Sequence, residues 1–154
     1  MTDAARLTND PETDRRLMAA ALRHGRRNQG RTHPAPAVGA LVVRFDGGQP
    51  VIVGRGVTSP AGLTPASVAA LTEAGDLARG ATFYTTLEPM LRHGDGYSET
   101  DALIAAGITR LVSAMDDPDP RRTRSGYARL REAGIDVTAG VLGEEARRAH
   151  AGYL

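Results

Sequence analysis

Five short β-rich runs interleaved with five helical stretches constrain this chain more than any other feature. Leu17, Met18, Ala21 and Leu22 recur at helical spacing and predict an amphipathic helix from Thr13 to about Arg27. Asn28 to Pro36 (NQGRTHPAP) reads as loop. Val38 to Phe45 and Pro50 to Val53 are strand runs joined by Asp46-Gly47-Gly48, a hairpin signal. Thr64 is placed to cap a second helix with Pro65 in its first position, running through Leu71 and Leu77 to Gly80. Ala81 to Thr86 is a third strand, and Glu99 to Ala106 a third helix closed by Gly107. Ile108 to Ala114 is a fourth strand, followed by the turn Asp116-Asp117-Pro118-Asp119-Pro120. Ser125 to Ala133 is a helix, Ile135 to Thr138 a fifth strand, and a terminal helix starts at Glu144. A hairpin followed by alternating helices and strands predicts an α/β fold of three α/β/α layers, a mixed five-stranded sheet with helices on both faces.

Composition removes whole classes of chemistry. The chain has no cysteine, which excludes disulfides, thiol nucleophiles and cysteine-ligated zinc. All 19 basic residues are arginine, so a lysine base or Schiff base is excluded too. Those 19 are offset by 18 acidic residues, leaving no strong field toward nucleic acid or an anionic membrane. Aromatic residues at 4% offer no stacking platform for single strands. No apolar run approaches the roughly 18 residues of a membrane span. The expectation is a cytoplasmic protein with a flexible N-terminus over residues 1–12 and one domain over 13–154.

Several fragments occur in a telling order: Thr32-x-Pro34-x-Pro36-x-Val38-Gly39-Ala40, Gly54-x-Gly56, Val68-x-Ala70-Leu71, Ala78-Arg79-Gly80-Ala81-Thr82 and Thr86-Leu87-Glu88-Pro89. Ala105-Ala106-Gly107-Ile108, Asp117-Pro118-x-Pro120, Ala133-Gly134-Ile135 and Gly140-Val141-Leu142 follow. Taken together, from about residue 14 to 150, they resemble the deaminase domain of the riboflavin-biosynthesis deaminase-reductases, within the cytidine-deaminase-like superfamily. In that family a His-x-Glu motif opens the second helix, and a Pro-Cys motif is followed nine residues later by a second Cys. The His and both Cys hold zinc, and the Glu shuttles protons as metal-bound hydroxide attacks the ring.

Here the resemblance places Pro65 at the His position, Ser67 at the Glu position, and Met90 and Glu99 at the two Cys positions. The expectation is a site whose zinc ligands and catalytic Glu are lost, with no metal and no cofactor. The family's substrate-side Asn and loop Arg correspond to Ala35 and Asp95, so its usual phosphorylated aminopyrimidine is not the expected ligand. NADPH chemistry is not implied. The family's association implies a homodimer.

Arg92, His93, Asp95, Tyr97 and Glu99 fall within eight positions and mark the loop to examine. Glu99 suits either the dipole of its helix N-terminus or proton transfer. His93 suits a general acid or base, or a solvated loop. Asp95 lies between two glycines as a turn residue would, and Tyr97 suits stacking on a heterocycle or covering the loop. His93, Asp95 and Glu99 together would suit magnesium or manganese better than zinc. His33, Ser67, Glu88, Met90 and Arg92 are the further ligand-facing candidates. His24 and His150 lie on polar helix faces and are expected in solvent. Arg121, Arg122 and Arg124 suit a phosphate or a solvated turn.

Two readings follow. The first is a metal-free, non-deaminating enzyme of specialised metabolism that cyclises, condenses or hydrolyses a small nitrogen heterocycle or amine-bearing intermediate, using His93, Asp95 and Glu99. The alternative is a non-catalytic pseudo-deaminase that binds a flavin-pathway-like ligand or scaffolds a partner enzyme.

Overall fold

The computed structural model describes residues 10–91, 98–118 and 125–152. Helix α1 spans Pro11–Gly25, and its cap is Asp10, whose side chain accepts from the Thr13 N–H. Proline in the first turn and Glu12 and Asp14 near the N-terminus complete an ordinary helix start. Strands β1 (Gly39–Arg44) and β2 (Val51–Val57) form the hairpin. Helix α2 (Ala66–Ala74), strand β3 (Thr82–Thr85), helix α3 (Glu99–Ala105) and strand β4 (Arg110–Ser113) follow. Helix α4 (Ser125–Glu132), strand β5 (Asp136–Thr138) and helix α5 (Gly143–Ala149) end the order.

The strands lie in the order β2-β1-β3-β4-β5. β1 is antiparallel to both β2 and β3, whereas β3, β4 and β5 run parallel. Successive side chains point to opposite faces, and the core divides accordingly. Ala40, Val42, Phe83 and Leu111 pack with Ala66, Ala70 and Leu130 on one face, beneath α2, α3 and α4. Leu41, Val43, Tyr84 and Val112 pack with Met18, Ala21 and Ala146 on the other, beneath α1 and α5. The mixed sheet covered on both faces is as the sequence pattern predicts. Among the described residues no helix is long and apolar enough to cross a membrane.

The boundaries differ where packing overrides pattern. β2 continues to Val57, past the expected end at Val53, because Gly54 and Gly56 let α2 lie against the strand. A Cβ added at Gly54 would sit 2.3 Å from the Ala70 carbonyl oxygen, and one at Gly56 2.0 Å from that of Ala66. Pro65 is extended (φ −63°, ψ 150°), so α2 starts at Ala66, with no side-chain cap from Thr64. The Thr64 N–H instead donates to Ser59 Oγ at 2.8 Å. α2 stops at Ala74 because Gly75 takes φ +55°, and a tight turn carries the chain to Ala78.

His150 corrects the expectation of a solvated side chain. It is 2% exposed, with Nε2 3.1 Å from Thr86 Oγ1, and its Nδ1 lacks a hydrogen-bond partner among the described residues. The turn after α5 buries it against the end of β3. Burial holds its pKa below the ordinary 6.5. His24, also expected in solvent, is half-buried and likewise lowered, first by burial and then by Arg27 and Arg55. The unfolded chain therefore binds protons that the folded one refuses as pH falls below about 6.5, and stability is lost in that direction. Chemical denaturation between about pH 7 and 5 should show a falling stability, with a shallower fall in His150→Gln. A variant slope equal to the wild type would remove His150 from the effect.

Candidate functional site

The site forms where the parallel strands end. Thr85 closes β3, and its hydroxyl donates to the Leu87 carbonyl at 2.9 Å, turning the chain into Thr86-Leu87-Glu88-Pro89. The Glu88 N–H donates to the Met115 carbonyl at 2.9 Å, tying this turn to the end of β4. Glu88 is buried at 2% exposure, and its Oε1 accepts from the Asp117 N–H at 3.0 Å. Two loops after two parallel strands are thereby fixed to each other.

Helix α3 brings Glu99 to the same place. Ser98 caps it by accepting from the Asp101 N–H at 3.1 Å. The N–H groups of Glu99 and Thr100 both donate to the Met90 carbonyl, at 3.1 and 3.3 Å. The Glu99 carboxylate then spans two elements: Oε1 accepts from Ser67 Oγ at 2.7 Å, and Oε2 accepts from the Met90 N–H at 2.9 Å. Ser67 stands in the first turn of α2 and is buried at 4% exposure. A short hydroxyl-to-carboxylate bond of this kind is among the stronger hydrogen bonds available to a protein.

Around these groups lies a cavity of about 60 Å³. Glu88, Glu99, Asp117 and Thr58 supply polar groups to its wall, and Pro36, Val38, Leu87 and Met90 supply apolar ones. Pro65, Ala66, Thr85, Gly62 and Ala35 complete the lining. Of the expected site residues, Ser67, Glu88, Met90 and Glu99 are brought together. His33 is not: it is exposed and lines a separate cavity of about 240 Å³ with Gln29 and His150. The reason is local, since Ala35 and Pro36 form a wall shared by the two cavities, and His33 lines only the one away from Glu99. Arg92, His93, Asp95 and Tyr97 lie outside the described residues, as do Arg121, Arg122 and Arg124. The proposed His93–Asp95–Glu99 metal set therefore falls partly outside them. Among the described residues no three His, Cys, Asp or Glu side chains are grouped to hold a metal ion.

Asp117 and Thr58 were not singled out as site residues. Asp117 carried a signal, because it follows directly on a parallel strand, where ligand-facing loops of such sheets gather. Thr58 carried none; it is held at the wall beside Val38, whose carbonyl accepts from the Thr58 N–H at 3.1 Å and whose N–H donates to Thr58 Oγ1 at 3.0 Å.

Comparison with known proteins agrees with the topology. No protein-family model matches the chain. It is 45% identical over 141 residues to the riboflavin biosynthesis protein RibD of Escherichia coli, covering 92% of this chain and 37% of that protein. The solved structure of Acinetobacter baumannii RibD superposes with a TM-score of 0.87 at 34% identity, over 94% of this chain and 40% of that one. The Aspergillus oryzae Rib2 deaminase superposes at 0.67 and 21% identity, over 92% of this chain and 99% of that one, and speaks for the fold alone. The chain thus has the cytidine-deaminase-like α/β fold, and its homologues are riboflavin-biosynthesis deaminase-reductases. It spans less than half the length of the RibD proteins it matches.

Proposed function

We propose that this chain is a metal-free, non-deaminating relative of the riboflavin-biosynthesis deaminases, whose pocket binds a small nitrogen heterocycle or amine-bearing intermediate. The observation that carries this reading is the contact joining Ser67, Met90 and Glu99. In the family's pattern those positions belong to the proton shuttle and the two thiolate ligands, and Pro65 stands at the remaining ligand. Proline has no side-chain donor atom, and a thioether is a poor ligand for zinc. The Glu99 carboxylate binds its neighbours directly, where a metal would otherwise join them. A serine hydroxyl is too weak a base to replace a glutamate near neutral pH. The donor set present does not fit zinc, and no step is assigned to a metal.

Carboxylate groups of Glu88, Glu99 and Asp117 beside an apolar wall favour a flat ligand bearing N–H donors. A volume of about 60 Å³ is far below that of typical drug-sized pockets, roughly 300–1,000 Å³, which restricts the ligand to a small or partly enclosed one. Both Glu99 oxygens hold bonds within the protein, which supports binding ahead of turnover. Turnover is the second reading, supported by the place of Glu99 on the cavity wall within reach of a bound amine.

Protein purified without chelator should hold substoichiometric zinc by elemental analysis and release no ammonia from aminopyrimidines. Stoichiometric zinc with ammonia release would overturn the reading. A panel of aminopyrimidines and related heterocycles should include one that raises the melting temperature of the wild type, with the shift lost in Glu99→Gln. A ligand converted by the wild type and not by Glu99→Gln would establish the second reading instead.

A further inference from the structure

We propose that a groove between α1 and the outer strand β2, separate from the Glu99 pocket, binds the phosphate group of a small organic molecule. The groove has a volume of about 290 Å³. Arg23, His24 and Arg27 enter it from one face of α1 and the turn that follows, and Arg55 enters from β2. Its floor is apolar, made by Ala20, Leu41 and Ile52. Leu41 and Arg55 are directly opposed across the β1–β2 pair, so Arg55 projects on the same side as the core residues beneath α1. α1 covers the middle of the sheet, and β2 lies beyond it at the sheet edge. That offset leaves the concavity.

Three exposed guanidinium groups and a half-buried imidazole gather over apolar carbon and leave the groove net positive, with the Glu73 carboxylate as a partial counter-charge. Arg23, His24 and Arg27 make no side-chain hydrogen bond or ion pair with any described residue. Arg55 meets the Glu73 carboxylate at 4.0 Å, while that carboxylate accepts from the Arg55 backbone N–H at 3.1 Å. His24 reports the local field: burial, then Arg27 and Arg55, lower its pKa, against a smaller opposing effect of Glu73. A phosphate monoester, carrying about −1.5 to −2 charges near neutral pH, matches this set better than a carboxylate. Guanidinium groups also pair with phosphate oxygens in a bidentate manner. The Leu41 and Ile52 floor calls for an apolar body on the ester. A net charge of +1 and the scarcity of aromatic residues disfavour a nucleic-acid strand as the occupant.

Phenyl phosphate, inorganic phosphate and benzoate distinguish the parts of the proposal in calorimetry and NMR titrations at low salt. Phenyl phosphate should bind one to one, more tightly than inorganic phosphate, which lacks the apolar body, and than benzoate, which lacks the second charge. It should move the α1 and β2 resonances and raise the pH at which His24 titrates. Arg23→Gln/Arg27→Gln alters two exposed side chains, so it should keep the wild-type melting temperature and weaken phenyl phosphate roughly tenfold or more. Equal affinity for the three anions, unchanged affinity in the double variant, or a preference for single-stranded RNA over phenyl phosphate would overturn the proposal.

Discussion

Asp14→Ala is expected to destabilise the fold by about 3–5 kcal/mol, measured by urea denaturation at neutral pH. Asp14 and Arg110 are 3% and 7% exposed, and their side chains meet in two hydrogen bonds of 3.0 and 2.6 Å. Tyr84 Oη donates to the same carboxylate at 2.7 Å, and the guanidinium also donates to Thr138 Oγ1 at 3.1 Å. The cluster links α1, β3, β4 and β5 across one face of the sheet. Burial, reinforced by the Asp14 carboxylate, pushes the Tyr84 phenol well above its ordinary pKa, so it remains a donor at every working pH. Removing the carboxylate strands a buried guanidinium and a buried hydroxyl together, and each such group carries its full desolvation penalty. A loss below about 1 kcal/mol would mean that water reaches the cluster and that the pair is a surface ion pair in energetic terms. The triple change Asp14→Leu/Arg110→Met/Tyr84→Phe should recover most of the loss, because it also removes the buried hydroxyl that donates to Asp14 and leaves apolar groups of similar volume that need no partner.

Gly56→Ala is expected to be nearly as damaging, costing upwards of about 2 kcal/mol. The added methyl would meet the Ala66 carbonyl oxygen at 2.0 Å and the Ala70 nitrogen at 2.7 Å. Both are backbone atoms of α2, so no side-chain rotation relieves the overlap and the helix itself must move. Ser67 lies in that first turn, so the Ser67–Glu99 hydrogen bond should weaken along with stability. Gly47→Ala is the matched control: its new carbon meets nothing within 4 Å, and its effect should remain within about 0.5 kcal/mol. Equal effects of the two substitutions would mean that the glycines of β2 serve the chain's flexibility and not the approach of α2. Melting curves of the two variants separate the outcomes.

Much of this architecture was legible in the sequence, and the successes share a cause. Periodicity of two in the strands and near 3.6 in the helices records which side of each element is buried. Val42 and Val43, or Phe83 and Tyr84, are adjacent in the chain and enter opposite cores, as that alternation requires. The misplaced boundaries lie where a contact far along the chain decides. Gly54 and Gly56 weaken a strand reading locally, yet the strand persists because α2 needs the space. Pro65 suits a first helical turn, yet it is extended. His150 follows a helix that looks polar, and the turn in which it lies buries it.

For the site, the sequence by itself determined the chemistry that is absent, because a chain without cysteine has no thiolate to offer any metal. The order and spacing of its motifs, which resemble the family's, predicted that Ser67, Glu88, Met90 and Glu99 share one region, and the structure groups them there. Only the tertiary structure decided what these residues do to one another. Ser67 and Glu99 are 32 positions apart, and Asp14 and Arg110 are 96 apart. Such pairs leave no periodic trace, because a hydrogen bond between distant elements is set by where the sheet carries them and not by local spacing. The same holds for Arg55, which joins Arg23 of α1 and Arg27 of the turn after it only because β2 lies at the edge that α1 leaves uncovered.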